Sequence, residues 1–164
     1  LEEQIKGGKP LDVQLWEKAG EDNKKQWALE TLVEQLGGLD KSTTEEQNIL
    51  LTDALFTLKL LKKEKLNSIT MLKNLYLKGN SNEITSILQL LNKLEGTNQE
   101  VSKKFEKLLL FDRNHRMAKK IHQVFTEMPA KSHFIVAGTL HYLGDHNVVD
   151  LLRKQGYTVT RKIK

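Results

Sequence analysis

The stretch from Ser132 to Ile163 constrains the fold more than any other part of the chain. Ser132–Gly138 (SHFIVAG) is a short apolar run with the length and composition of a buried strand. It leads into Gly138-Thr139-Leu140-His141, then Tyr142-Leu143-Gly144-Asp145, and a helical pattern follows. Gly156-Tyr157 closes that helix, and Tyr157–Ile163 alternates again. Strand, glycine turn, histidine, helix, glycine and strand together read as a βαβ unit over residues 132–164. Open α/β sheets bind ligands beyond the carboxyl ends of their strands, so this pattern puts His141 where working residues sit.

Upstream, Pro10-Leu11 with Val13, Leu15, Trp16 and Ala19 predicts a short helix stopped at Gly20. Trp27-Ala28-Leu29 is a candidate strand. Leu32, Val33 and Leu36 then mark a short helix that Gly37-Gly38 would terminate. Residues 42–128 carry sustained helical periodicity. The tract begins with a capping-box pattern in Ser42-Thr43-Thr44-Glu45-Glu46 and is broken at Gly79-Asn80-Ser81-Asn82 and at Gly96-Thr97-Asn98. Its last two segments are expected as separate helices, Val101–Phe111 and Arg113–Met128. The expectation is an α/β fold: one domain over residues 1–164, with a small, mostly parallel sheet and residues 42–128 as a helical insertion. So few strand candidates leave the sheet short of neighbours, and the chain opens on Leu1 in helix-like sequence without a methionine. Both features suggest a fragment of a longer protein whose upstream residues share the fold.

The 164 residues suffice for one core. Absence of cysteine excludes disulfides and cysteine-based metal or nucleophile chemistry. The net charge of +5 is spread over scattered lysines with no interleaved aromatics, which argues for a solvated surface and against nucleic-acid binding. No stretch approaches the roughly 20 apolar residues of a membrane helix, so membrane association would need a segment beyond this chain.

Three places can carry chemistry. Gly138 would let the chain turn sharply out of the strand, so that His141 emerges three residues later as a metal ligand or general base. The competing reading is a histidine that caps or packs under the next helix. Glu30 also lies just past a candidate strand. If the two strands are parallel neighbours, it shares a sheet edge with His141, and a carboxylate beside an imidazole suits acid–base work or metal binding. Otherwise it is a carboxylate favoured near a helix N-terminus. Arg113 opens the segment Arg113-Asn114-His115-Arg116-Met117-Ala118 at an expected helix start. The helix dipole disfavours a cation there unless it holds an anion or fixes an acid, although a plain surface arginine is equally consistent. His115, His122, His133 and His146 show no ligand spacing, and joint ligation by His141 and His146 is not expected across Gly144.

These blocks resemble the C-terminal part of the TraB/GumN family, the group that includes the Tiki metalloproteases and the pheromone-shutdown proteins. Phe134–Gly144 (FIVAGTLHYLG) resembles the family's strand and second GxxH motif, with its following glycine. Val148–Val159 (VVDLLRKQGYTV) resembles its closing helix, Gly-Tyr and strand. Arg113–Ala118 resembles its Arg-Asn-x-x-Met-Ala segment, and Leu29-Glu30-Thr31 with Gln35 its Leu-Glu-Thr segment.

The resemblance implies a Tiki/erythromycin-esterase-like fold, here incomplete because the first GxxH motif is missing. It also implies a metal-dependent hydrolase, acting on a peptide or protein and inactive as this fragment alone. In that reading His141 and Glu30 are metal ligands, with Glu30, Arg113 and His141 catalytic. Gly138, Asn114, Gly144 and Gly156 are structural motif positions. The metal would be zinc, manganese or cobalt, and the parent a bacterial, exported or cell-surface protein. The alternative is a non-catalytic peptide-binding or inhibitory module on the same scaffold, binding for example a pheromone.

Overall fold

The computed structural model describes residues 7–92 and 98–162. The helix-like opening Leu1–Lys6, the Gly96-Thr97 break and the end of the closing strand at Ile163 lie outside the described residues. Eight α-helices occur among the described residues: α1 (Leu11–Glu21), α2 (Leu32–Asp40), α3 (Thr44–Lys63), α4 (Ser68–Lys78), α5 (Ser81–Asn92), α6 (Gln99–Glu106), α7 (Asp112–Glu127) and α8 (Val148–Lys154). A π-helical turn, Lys107–Phe111, joins α6 to α7, and a 3₁₀ turn, Thr139–Tyr142, precedes α8.

Local chemistry explains most of the boundaries. Thr31 with Glu34 and Thr43 with Glu46 form capping boxes at α2 and α3, each satisfying backbone donors that a helix start leaves open. Asn67, Asn98 and Asn147 cap α4, α6 and α8 by accepting from the backbone three residues on. Gly79, left-handed at φ 67°, ends α4.

No strand and no sheet form among the described residues, which overturns the α/β expectation and its βαβ unit. Phe134–Ala137 and Trp27–Leu29 are both non-helical, but neither has a ladder partner. A strand exists only when its backbone groups pair with a neighbour's, and an apolar run fixes the pattern without supplying that neighbour. The alternation itself is real: Ile135 and Ala137 pack on the core while Phe134 is 82% exposed. Tyr157–Lys162 is likewise non-helical without a ladder. It is held by Arg153, which donates to the Val159 carbonyl, and by the Tyr157 hydroxyl 2.8 Å from His122 Nδ1.

The core is built from helices instead. Met117, Ile121 and Val148 are its buried centre, with Leu29, Phe125, Ile135, Ala137 and Leu152 packed around them. The two expected strands therefore meet on one core, through side chains rather than through a sheet.

Two further expectations change. Gly37-Gly38 does not end α2, which continues to Asp40. A Cβ on Gly38 would lie 3.2 Å from Leu109 Cδ2 and 3.4 Å from the Leu108 carbonyl oxygen, so the missing side chain allows α2 to approach the π turn closely. Arg113 does not start a helix either. Residues 99–127 form one helical rod, with right-handed helical dihedrals at both Lys107 and Phe111 and the Asp112 N–H donating five residues back to the Lys107 carbonyl. Arg113 therefore sits at no free helix end and meets no unfavourable end of a helix dipole.

Candidate functional site

Glu30, Arg113, Asn114 and His141 come together around the first turns of α7. Glu30 sits just before the Thr31 cap, and the contact of α2 with the π turn brings it to Arg113. Arg113 Nη2 donates to Glu30 Oε2 at 2.8 Å, and its Nε lies 3.0 and 3.2 Å from the two carboxylate oxygens. Arg113 Nη1 also donates to the Leu109 carbonyl in the π turn at 3.3 Å. Arg116, one turn on, reaches Glu30 Oε1 at 3.3 Å and the Glu34 carbonyl at 3.1 Å. Both oxygens of the buried Glu30 carboxylate are thus engaged by guanidinium groups, a geometry suited to arginine's planar fork. Arg116 Nε is buried without a hydrogen-bond partner.

Asn114 is fully buried on the adjoining face of α7. Its Nδ2 donates to the His146 carbonyl at 2.9 Å, and its Oδ1 lies 2.6 Å from His141 Nδ1. A carbonyl oxygen only accepts, so the first contact fixes which end of the amide is nitrogen. The second then fixes His141 as the tautomer protonated at Nδ1, leaving a lone pair on Nε2. Burial of the imidazole pushes its pKa below the usual histidine value. The Arg113 charge lowers it further, and the Glu30 charge partly opposes both. His141 is therefore held neutral near pH 7, the form that can bind a metal or accept a proton.

Gly138 has φ −60°, open to any residue, and a Cβ there would make an ordinary 3.7 Å contact with His141. It does not provide the sharp turn expected of it. The Thr139–Tyr142 turn does, as the His141 N–H donates back to the Gly138 carbonyl. Gly144 at φ 67° and Gly156 at φ 91° do occupy backbone shapes that favour glycine.

One site neighbour was hidden in the sequence. His115 and His146, thirty-one residues apart, place Nε2 and Nδ1 3.4 Å from each other, and spacing gave no signal of it. Asn114 had a signal only as a motif residue, because its two-sided bonding depends on a loop distant in the chain. Among the described residues, no group of three or more histidine and carboxylate side chains is arranged to hold a metal. His141 Nε2 fits one ligand position. Glu30, with both oxygens on arginines, does not fit a second in this arrangement, so the described residues do not complete a metal site.

The model of the TraB/PrgY/gumN family matches residues 1–161. The chain belongs to that family. Members similar to it include the metalloprotease TIKI homolog of Nematostella vectensis, 38% identical over 61 residues, which are 37% of this chain and 13% of that protein. Metalloprotease TIKI1 of Xenopus tropicalis is 38% identical over 63 residues, 38% of this chain and 12% of that one. Metalloprotease TIKI2 of the same animal is 40% identical over 63 residues, with the same shares. The matched stretch thus spans only about an eighth of these relatives. They are animal proteins, so the expected bacterial origin gains no support. No solved structure matches the chain. No helix among the described residues is long and apolar enough to cross a membrane.

Proposed function

We propose that this chain forms one side of the active site of a metal-dependent peptidase, with His141 as the ligand it contributes through Nε2. The observation that carries this reading is the Asn114–His141 contact. An imidazole whose Nδ1–H is tied to a buried amide has its ring orientation and tautomer set for metal binding, as ligating histidines usually do. Family membership and relatives named metalloproteases support the same chemistry. The other ligands come from outside the described residues. A divalent zinc, manganese or cobalt ion suits a nitrogen ligand of this kind, and when bound it would polarise the scissile carbonyl of a peptide.

In this reading Glu30 is not a ligand but the anchor for two arginines. It fixes Arg113 near His141, where the guanidinium adds to burial in keeping the imidazole unprotonated and offers positive charge to a substrate carboxylate or a developing oxyanion. Peptide capture without hydrolysis is the competing reading, favoured by the exposed apolar residues of α3, among them Leu51, Leu55 and Leu58.

The test is His141→Asn in a protein carrying the whole family domain. Asparagine keeps a donor near Asn114 Oδ1 but has no nitrogen at the Nε2 position. Loss of peptide hydrolysis and of metal content is expected, with the variant melting close to the metal-free unaltered protein. Retained hydrolysis with full metal content would refute the reading, and peptide binding without any hydrolysis in the unaltered protein would favour capture.

A further inference from the structure

The His115–His146 pair has no role in that site, and its geometry is informative. Its nitrogen separation of 3.4 Å exceeds the ~2.7–3.2 Å of an ordinary N–H···N or N–H···O bond, so as a hydrogen bond the contact is weak. Two imidazole nitrogens bound to one zinc ion at ~2.05 Å with tetrahedral angles stand about 3.3 Å apart. The separation thus matches one edge of such a tetrahedron, with the ring centroids 5.6 Å apart and tilted by 50°.

Both partners are fixed from behind. His115 lies within α7, and His146 packs against the Phe111 ring at 5.0 Å, while its carbonyl accepts from Asn114. His146 has φ 52°, a left-handed shape uncommon for a histidine, in a loop whose backbone the Asn114 bond secures. Both side chains are exposed, so water can reach the remaining coordination positions. The pair therefore offers two pre-placed nitrogens at little further ordering cost.

We infer that His115 and His146 form a two-histidine chelate for a borderline divalent metal such as Zn²⁺, separate from His141, with water completing the coordination. Binding would set each ring in the tautomer whose facing nitrogen carries a lone pair, its N–H moving to the other ring nitrogen, and pin the 143–147 loop to α7. Asn114 bonds both that loop and His141, so occupancy of the outer pair would also steady the inner histidine.

The experiment titrates Zn²⁺ into the chain at pH 7.5, following imidazole resonances by NMR and the melting temperature. Shifts at His115 and His146, with a rise in melting temperature, are expected. His115→Ala, at an exposed helical position, and His146→Asn, which tolerates the left-handed backbone, should each weaken binding by about tenfold or more. Shifts confined to His141, unchanged affinity in both variants, or no binding at all would overturn the assignment. This outcome is independent of whether His141 is a catalytic ligand, since the two sites share no nitrogen.

Discussion

Asn114 stands between His141 and the His146 carbonyl, giving its oxygen to one and its amide hydrogens to the other. One side chain thereby decides which imidazole nitrogen is free and where the following loop lies. The arrangement is costly to disturb, because Asn114 is fully buried and His141 nearly so.

His141→Ala should destabilise the chain by about 1–3 kcal/mol, since it leaves the buried Asn114 oxygen without a donor. The sequence alone leaves both outcomes open: a ligand at a strand's mouth would be removable almost without loss, and a packed or capping histidine would not. Asn114→Ala should cost at least as much, because it orphans groups on both sides. His141→Asn should lie closer to the unaltered protein. Urea unfolding of the three variants tests the order.

Stability should depend on pH above the carboxylate range. The folded chain disfavours protonation of His141, while the unfolded chain protonates it near the ordinary histidine value of 6.5. The unfolded state then binds more protons, so stability is full above about pH 6.5 and falls as pH drops from there toward the lowered folded value. Unfolding free energies measured from pH 8 to pH 5 should show this slope, and His141→Asn should remove it.

Glu30→Gln should cost about 2–4 kcal/mol, because it leaves Arg113, largely buried, without its counter-charge. It should also move the His141 titration further down, since the Glu30 charge is what raises it. NMR titration of the His141 ring reads the second effect apart from the first. An unmoved or raised pKa would contradict the electrostatic account.

The adjacent glycines of α2 should respond oppositely to added side chains. A Cβ added at Gly37 would meet nothing within 4 Å, so Gly37→Ala should stabilise the helix by up to about 1 kcal/mol. Gly38 faces Leu108 and Leu109 at 3.2–3.5 Å, so Gly38→Val should destabilise by about 1–3 kcal/mol and loosen the Glu30–Arg113 pair. Thermal melts of the two variants give the signs.

Helices and their caps were legible because they depend on near neighbours: Thr43 and Glu46 are three residues apart and behave as that spacing implies. Strands were not, because Phe134–Ala137 carries a strand's alternation while pairing depends on a second segment. Trp27 shows the same limit. Its ring faces the ammonium groups of Lys25 and Lys120 at 4.4 and 5.6 Å, contacts that an apolar triplet does not announce. That Glu30, Arg113 and His141 lie near one another was within reach of the sequence only through a strand pairing that does not form. Their division of labour was not, because it rests on Arg116 and on the two-sided bonding of Asn114.

The π turn at Lys107–Phe111 makes the rod of residues 99–127 a phase shifter. In an unbroken α-helix, Phe105 and Asn114 would point about 180° apart, since nine steps of about 100° leave half a revolution. One extra residue in the turn takes back roughly 100° of that, which lets a single rod bury Phe105 upstream and Asn114 downstream against different partners. Winding Lys107–Phe111 as ordinary α-helix with every residue kept would make the rod uniform and turn all that follows by roughly 100°. Arg113 would then swing away from Glu30 and Asn114 from His141 while every residue of the site remained in the chain, so the angular timing of this rod is as much a component of the site as its side chains.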